Sequence, residues 1–352
     1  MKTWNQRVLG VLIFLSTLSL PPSITFAQGS LTPPGAPAPT MVTLSQIEPR
    51  TPISSAPFTI SQPGSYYLTT TLNVTSGDAI DITTNDVTLD LHGFTISSTA
   101  PSATGTGILL SGTLTNMNIA ICNGFIRGGV TEDGSGVYSG SGFGDGINYT
   151  NFGNYPPVNV RVSNVSISGC LYTGISLGFE SSTIVSSCTV NCVGSYGISA
   201  DVVADSTAIF CGQGAISART ASNCYGVTYN NAAISVFSAQ NCWGDSYNGD
   251  GVYAFTANNC FGTSGYGTGI DANYCANNCY GTGGSYGLYS YQTAVGCGGY
   301  SGGGTGLSAN VATSCEGQSE YGTGLSAYIA NSCQGQTFYG TAQSITYKYN
   351  MP

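Results

Sequence analysis

The chain has 352 residues, of which only 7% are charged, while Gly supplies 50, Tyr 23 and Cys 13; the net charge is −9. Helical bundles and doubly wound α/β folds cover their surfaces with Lys, Glu and Arg, so a charged fraction this far below the usual quarter argues against both. A hydrophobic fraction of 41% argues against disorder, and one Gly in seven without a Gly-X-Y period excludes collagen, which leaves an all-β chain with many turns.

Residues 1–27 read as a Sec-type signal peptide. Lys2 and Arg7 precede an apolar run from Val8 to Leu20, Pro21 and Pro22 break it, and Thr25-Phe26-Ala27 offers a small residue for cleavage before Gln28. The run is shorter than the ~20 residues that span a bilayer, and no later stretch is apolar enough to do so. Residues 28–42, rich in Pro, Gly, Ala, Ser and Thr, read as a linker. Without the leader, five cations would face sixteen anions. That balance disfavours nucleic acid and would repel polyanionic sugars unless metal ions bridged the like charges.

Residues 43–63 are expected to cap one end of a stack of coils, and residues 64–197 to form its wide coils. The element Gly/Ala-aliphatic-x-small appears at Ala79-Ile80, Gly107-Ile108, Gly146-Ile147 and Gly174-Ile175, in steps of 28, 39 and 28 residues. Alternating strands such as Val87–Leu91 and Val158–Val162 lie between them. His92, the only histidine, stands in a Leu-His-Gly-Phe turn and is read as structural. The 39-residue coil contains a Gly/Ser-rich excursion, Gly128 to Asp145. It carries Glu132, Asp133 and Asp145, with Arg127 at its base. Those four are the candidate catalytic residues, because paired carboxylates on a loop suit acid–base work or Ca2+. A solvated polar loop is the competing reading.

From residue 198 to 352 the chain repeats every 18 residues. Ile198, Ile216, Ile234, Val252, Ile270, Leu288, Leu307 and Leu325 keep that spacing with one step of 19. Cys224, Cys242, Cys260, Cys279, Cys297, Cys315 and Cys333 do the same. Two columns in phase over this length mean a solenoid, and the coil is too short and too Gly-rich for helical repeats. A left-handed hexapeptide helix would need an aliphatic residue every six positions, which is not seen. The expectation is therefore a right-handed parallel β-helix of about 12 coils, with 18-residue coils in the C-terminal half.

The Cys column should point inward, since the residue two positions on is Gly in all seven cases. It then forms either a ladder of buried thiols or, if the compartment is oxidising, some disulfides between coils; a tetrahedral metal site needs convergent ligands rather than a straight line. The residue after each Cys should point outward. Tyr225, Trp243, Phe261 and Tyr280 would make an exposed aromatic column able to stack sugars, to pack another protein or simply to shield itself. The Thr column Thr268, Thr305, Thr323 and Thr341 is interrupted and is read as turn chemistry.

Pro63-Gly64-Ser65-Tyr66-Tyr67-Leu68, the run Asn85-Asp86-Val87-Thr88-Leu89-Asp90-Leu91-His92-Gly93-Phe94-Thr95-Ile96, the Gly-Ile-x-Ala coils and the ending Ile345–Pro352 carry a resemblance. They resemble exported bacterial right-handed β-helix repeat proteins of the pectate-lyase-like superfamily, in an uncharacterised branch. The resemblance covers roughly residues 45–352 and implies fold and export. It implies little about activity, because that superfamily mixes lyases, hydrolases, adhesins and rods. The Asp clusters with Gly-His-Gly of its hydrolases, and the Ca2+-binding carboxylates with Arg or Lys of its lyases, are not recognisable in this sequence.

These readings lead to an expectation of a secreted or cell-surface, non-catalytic rod for adhesion, assembly or glycan contact, whose partners are a polysaccharide, another surface protein or further copies of itself. No cofactor is expected, Ca2+ being the one the carboxylates could hold. The alternative is a polysaccharide lyase or glycoside hydrolase acting on a neutral or weakly charged polysaccharide.

Overall fold

A computed structural model describes residues 49–111, 117–150, 157–178 and 182–351; the expected signal peptide, the linker and residues 43–48 lie outside them. Among the described residues thirty-one strands join one continuous parallel system, and two more form a separate antiparallel hairpin. The chain is an all-β, right-handed parallel β-helix.

Each coil contributes to three parallel ladders. The first, sheet 1, stacks the repeated aliphatic positions in register: Ile80 on Ile108, Ile108 on Ile147, Ile147 on Ile175, then Ile198, Ile216, Ile234, Val252, Ile270, Leu288, Leu307 and Leu325. Phe58 extends it below Ile80, and Gln343 extends it beyond Leu325. The stack thus begins inside the segment expected to cap it: Thr51–Ile53 pairs with Tyr66–Leu68, and Phe58–Ile60 with Ile80–Ile82. Sheet 2 carries Val203, Ala221, Ala239 and Ala257 inward. Sheet 3 runs through Tyr225–Thr228, Trp243–Ser246, Phe261–Ser264 and their successors.

Period-two alternation decides which side chains meet the core. Ile, Val, Leu, Ala and Cys fill it, and in the 18-residue coils the small Ala and Cys allow sheets 1, 2 and 3 to close on a narrow interior. The corner between sheets 2 and 3 is built from one column of left-handed residues: His92, Asn123, Asn164, Ser187, Asp205, Asn223, Asn241, Asn259, Asn278, Gly296, Ser314, Ser332 and Asn350 all have φ between +47° and +62°. Asn and Gly tolerate that conformation, and Asn adds a side chain that bonds the next coil. Asn241 Nδ2 donates to Asn223 Oδ1 at 3.1 Å, and Asn223 Nδ2 to Asp205 Oδ1 at 2.9 Å. His92, at φ +53° with its N–H on Asp90 Oδ1, is a member of this corner.

All thirteen cysteines are free, and those of the repeat column are buried. A second buried polar column, four residues after the Cys, holds the adjoining turn. Ser246, Ser264, Ser301 and Ser319 each donate to a carbonyl of the preceding coil and accept an N–H three residues ahead in their own.

Candidate functional site

The expected aromatic column exists on the outer face of sheet 3. Tyr225, Trp243, Phe261 and Tyr280 stack in register on four successive coils. They point outward because Cys224, Cys242, Cys260 and Cys279 before them point in. Tyr225 and Trp243 lie 5.3 Å apart at 62°, Trp243 and Phe261 5.3 Å apart at 78°, and Phe261 and Tyr280 5.7 Å apart at 9°. Trp243 is steep to both neighbours, and the residue is 50% exposed. Beyond Tyr280 the column gives way to Gly298. A Cβ there would lie 2.6 Å from Tyr280 Cδ2, so the tyrosine ring overlies the vacant position. Next to it is a hollow of about 580 Å3, floored by Gly298 and Gly299 and lined by Glu316, Gln318 and Gln334.

The candidate catalytic residues occupy separate structural posts. Asp145 Oδ1 accepts the Thr173 N–H at 3.0 Å and its hydroxyl at 2.5 Å, while Oδ2 accepts from Asn148 Nδ2. Asp78 accepts the Thr106 N–H and Asp250 the Thr268 N–H in the same way, so this carboxylate fastens one coil to the next. Asp133 Oδ1 accepts the Ser135 N–H and hydroxyl and the Val137 N–H, which hold its carboxyl below the usual range. Glu132 Oε1 accepts the Gly136 N–H at 2.6 Å. Arg127 ends an exposed strand position opposite Ser97 and Ser168. Among the described residues no three His, Cys, Asp or Glu side chains converge as a metal site would require. Glu132, Asp133 and Asp145 thus each accept hydrogen bonds from their own turn or a neighbouring coil.

The excursion itself is a β-hairpin, Gly129–Glu132 paired with Tyr138–Ser141, that leaves its own coil and lies over sheet 3 of later ones. Gly194 and Gly212 make room for it: a Cβ on them would sit about 3 Å from Tyr138. A column of bulges receives it. Gly169, Cys192 and Phe210 stack with φ of +69°, +58° and +53°, and the column ends where Ile209 and Phe210 together oppose Val227. An αL residue here leaves its own side chain outside the sheet while the next one, Val193 or Cys211, turns into the core. Cys192 Sγ thereby donates to Val130 O at 3.5 Å, and the Phe210 ring stands out of the sheet. Nothing in the 18-residue phase announces this contact, since the bulges replace the repeat rather than continue it.

Two further features are absent from the expectations drawn from sequence. Phe237, Phe255 and Tyr274 form a flat stack at the corner between sheets 1 and 2, at 4.7 and 5.2 Å. The signal was available, for Phe237 and Phe255 both stand three residues after the aliphatic position. On the outer face of sheet 1, Asp271 lies between Tyr253 and Tyr289 of the adjoining coils, with its Oδ1 buried and unbonded. Burial, and then the Asp250 charge, push its carboxyl up to about 6.

No protein-family model matches the chain, and no curated protein is similar to it at a significant level.

Proposed function

We propose that the protein is an exported, non-catalytic β-solenoid rod of the pectate-lyase-like superfamily, working in adhesion, assembly or glycan contact at the cell surface or outside it. The observation that carries this reading is the Tyr225–Trp243–Phe261–Tyr280 ladder, four rings in register on one sheet with Trp243 half exposed to solvent. Rings held at fixed spacing by a backbone ladder lose little freedom when they bind, which favours contact with sugar faces or with another protein. The use of Glu132, Asp133 and Asp145 in backbone bonds supports a non-catalytic role. A glycan array with the wild-type chain and with Trp243→Ser/Phe261→Ser tests it. Binding that the double variant abolishes is expected; binding that survives it unchanged rules the ladder out.

One observation favours the alternative. Asp271 is a carboxyl held up to about 6 beside two tyrosines, as a general acid would be. A lyase or glycoside hydrolase acting on a neutral or weakly charged polysaccharide would release reducing ends or unsaturated products that vanish in Asp271→Asn. The absence of both products across a polysaccharide panel removes this alternative.

A further inference from the structure

Between the hairpin, the last bulge and sheet 3 lies a cleft of about 380 Å3, within the range of small-ligand sites. Glu132 and Tyr138 line it from the hairpin, Phe210 from the bulge, and Tyr229, Asp245 and Tyr247 from the next two coils. Its lining includes no Lys, Arg or His.

The cleft is built by unfavourable local choices. A bulky aromatic side chain rarely adopts a φ of +53°, and strain of this kind gathers at ligand sites. Here it places the Phe210 ring outside the core, 55% exposed. Among the described residues no cation pairs with either carboxylate. Glu132 accepts only a backbone N–H, and no described side chain bonds to the half-buried Asp245. Their charge is felt locally: after burial, Glu132 is among the groups that raise the Tyr138 hydroxyl, and Asp245 raises that of Tyr225.

We propose that this cleft binds a small organic cation, an ammonium or guanidinium head group, with the Phe210 and tyrosine rings around its apolar shell and Glu132 and Asp245 opposite its charge. Ring faces attract cations through their quadrupole, and more strongly where water is thinned. Unpaired carboxylates repel anions, and their uncompensated charge favours a cation over a neutral sugar, to which they offer hydrogen bonds alone. The head group can belong to a free amine or to a lysine side chain of another protein.

The test uses the full chain, titrated with choline and with 3,3-dimethylbutanol, its uncharged carbon isostere. Choline should bind, and the isostere at least tenfold more weakly. Asp245→Asn and Glu132→Gln should each weaken choline about tenfold, while the amide of the second keeps the Gly136 bond. Phe210→Gly should do the same without harm to the fold, because Gly prefers this backbone conformation. Trp243→Ser should leave choline binding untouched, which separates this cleft from the ladder. A lysine peptide that binds more tightly than choline assigns a protein partner, and the reverse order a free amine. Equal binding of the isostere, unchanged affinity in Asp245→Asn, or no cation binding up to millimolar concentration overturns the proposal.

Discussion

The Sδ of Met351 accepts the backbone N–H of Cys333 at 3.2 Å, in the place where Cys333 Sγ itself accepts the N–H of Cys315 at 3.4 Å. Cys279 Sγ does so for Cys260. Each thiol in turn donates to the carbonyl two residues before it, as Cys260 does to Asn258 and Cys333 to Asn331. Sulfur therefore closes the tight corner of the regular coils, and the last rung uses a methionine for it. The column is hydrogen-bonding equipment as well as filling.

That arrangement predicts the thiol chemistry. Burial pushes Cys188 up to about 11 and Cys170 up to about 12, which leaves almost no thiolate at neutral pH. Alkylation of the native protein should modify the half-buried Cys122, Cys192 and Cys275 first, and the ten buried cysteines only on unfolding. Peptide mass mapping checks this; Cys279 modified as fast as Cys275 would contradict it.

Substitution within the column should be mild if the new atom keeps the bonds. Ser206 already occupies it, donating to Ala204 O at 2.7 Å and accepting the Cys188 N–H at 3.1 Å. Cys279→Ser should then cost less than ~1 kcal/mol in urea denaturation, and Cys279→Ala about 1–2 kcal/mol, because it leaves the Cys260 N–H without a partner.

The serine column should be more sensitive. Ser264 Oγ donates to Gly249 O at 2.5 Å and accepts the Gly267 N–H at 2.7 Å, and the residue is buried. Ser264→Ala strands both backbone groups and should cost about 1–3 kcal/mol. The exposed Ser285, whose Oγ bonds only Tyr266 O, should lose under ~0.5 kcal/mol on the same change. Equal losses at the two sites would refute the assignment.

Asp271 sets a pH dependence. Its carboxyl titrates near 3.8 when unfolded and about 6 when folded, so between those values the native state binds more protons. Stability therefore falls as pH rises through this window, and the penalty is complete above it. Asp271→Asn should stabilise the protein by about 1–2 kcal/mol at pH 8, after allowance for the water that reaches the group, and by nothing at pH 3.5. Thermal melts at the two pH values decide it; a gain that is equal at both is inconsistent with the titration.

The two aromatic stacks should differ. Phe237 and Phe255 lie parallel at 4.7 Å, and a double-mutant cycle to Ser should return a coupling of about 0.5–1.5 kcal/mol. If Tyr225 and Trp243 return as much while binding no ligand, the sheet 3 ladder serves the fold alone.

Much of this molecule is written in its spacing. The 18-residue phase of Ile198 to Leu325, and of Cys224 to Cys333, sets the ladders, the inward thiols and the outward rings, because a parallel stack repeats whatever one coil specifies. Asn223, Asn241 and Asn259 could likewise be read as the left-handed corner from their fixed place before each Cys. The hairpin could not. Val130 and Cys192 meet across 62 residues, and they meet because Gly169, Cys192 and Phe210 break the repeat in three successive coils. A repeat broadcasts its structure along the chain, so sequence alone determined the solenoid. A departure from the repeat has no neighbour to echo it, so tertiary structure decided where Glu132 and Asp133 point, what Asp271 is buried against, and that Phe210 faces a cleft.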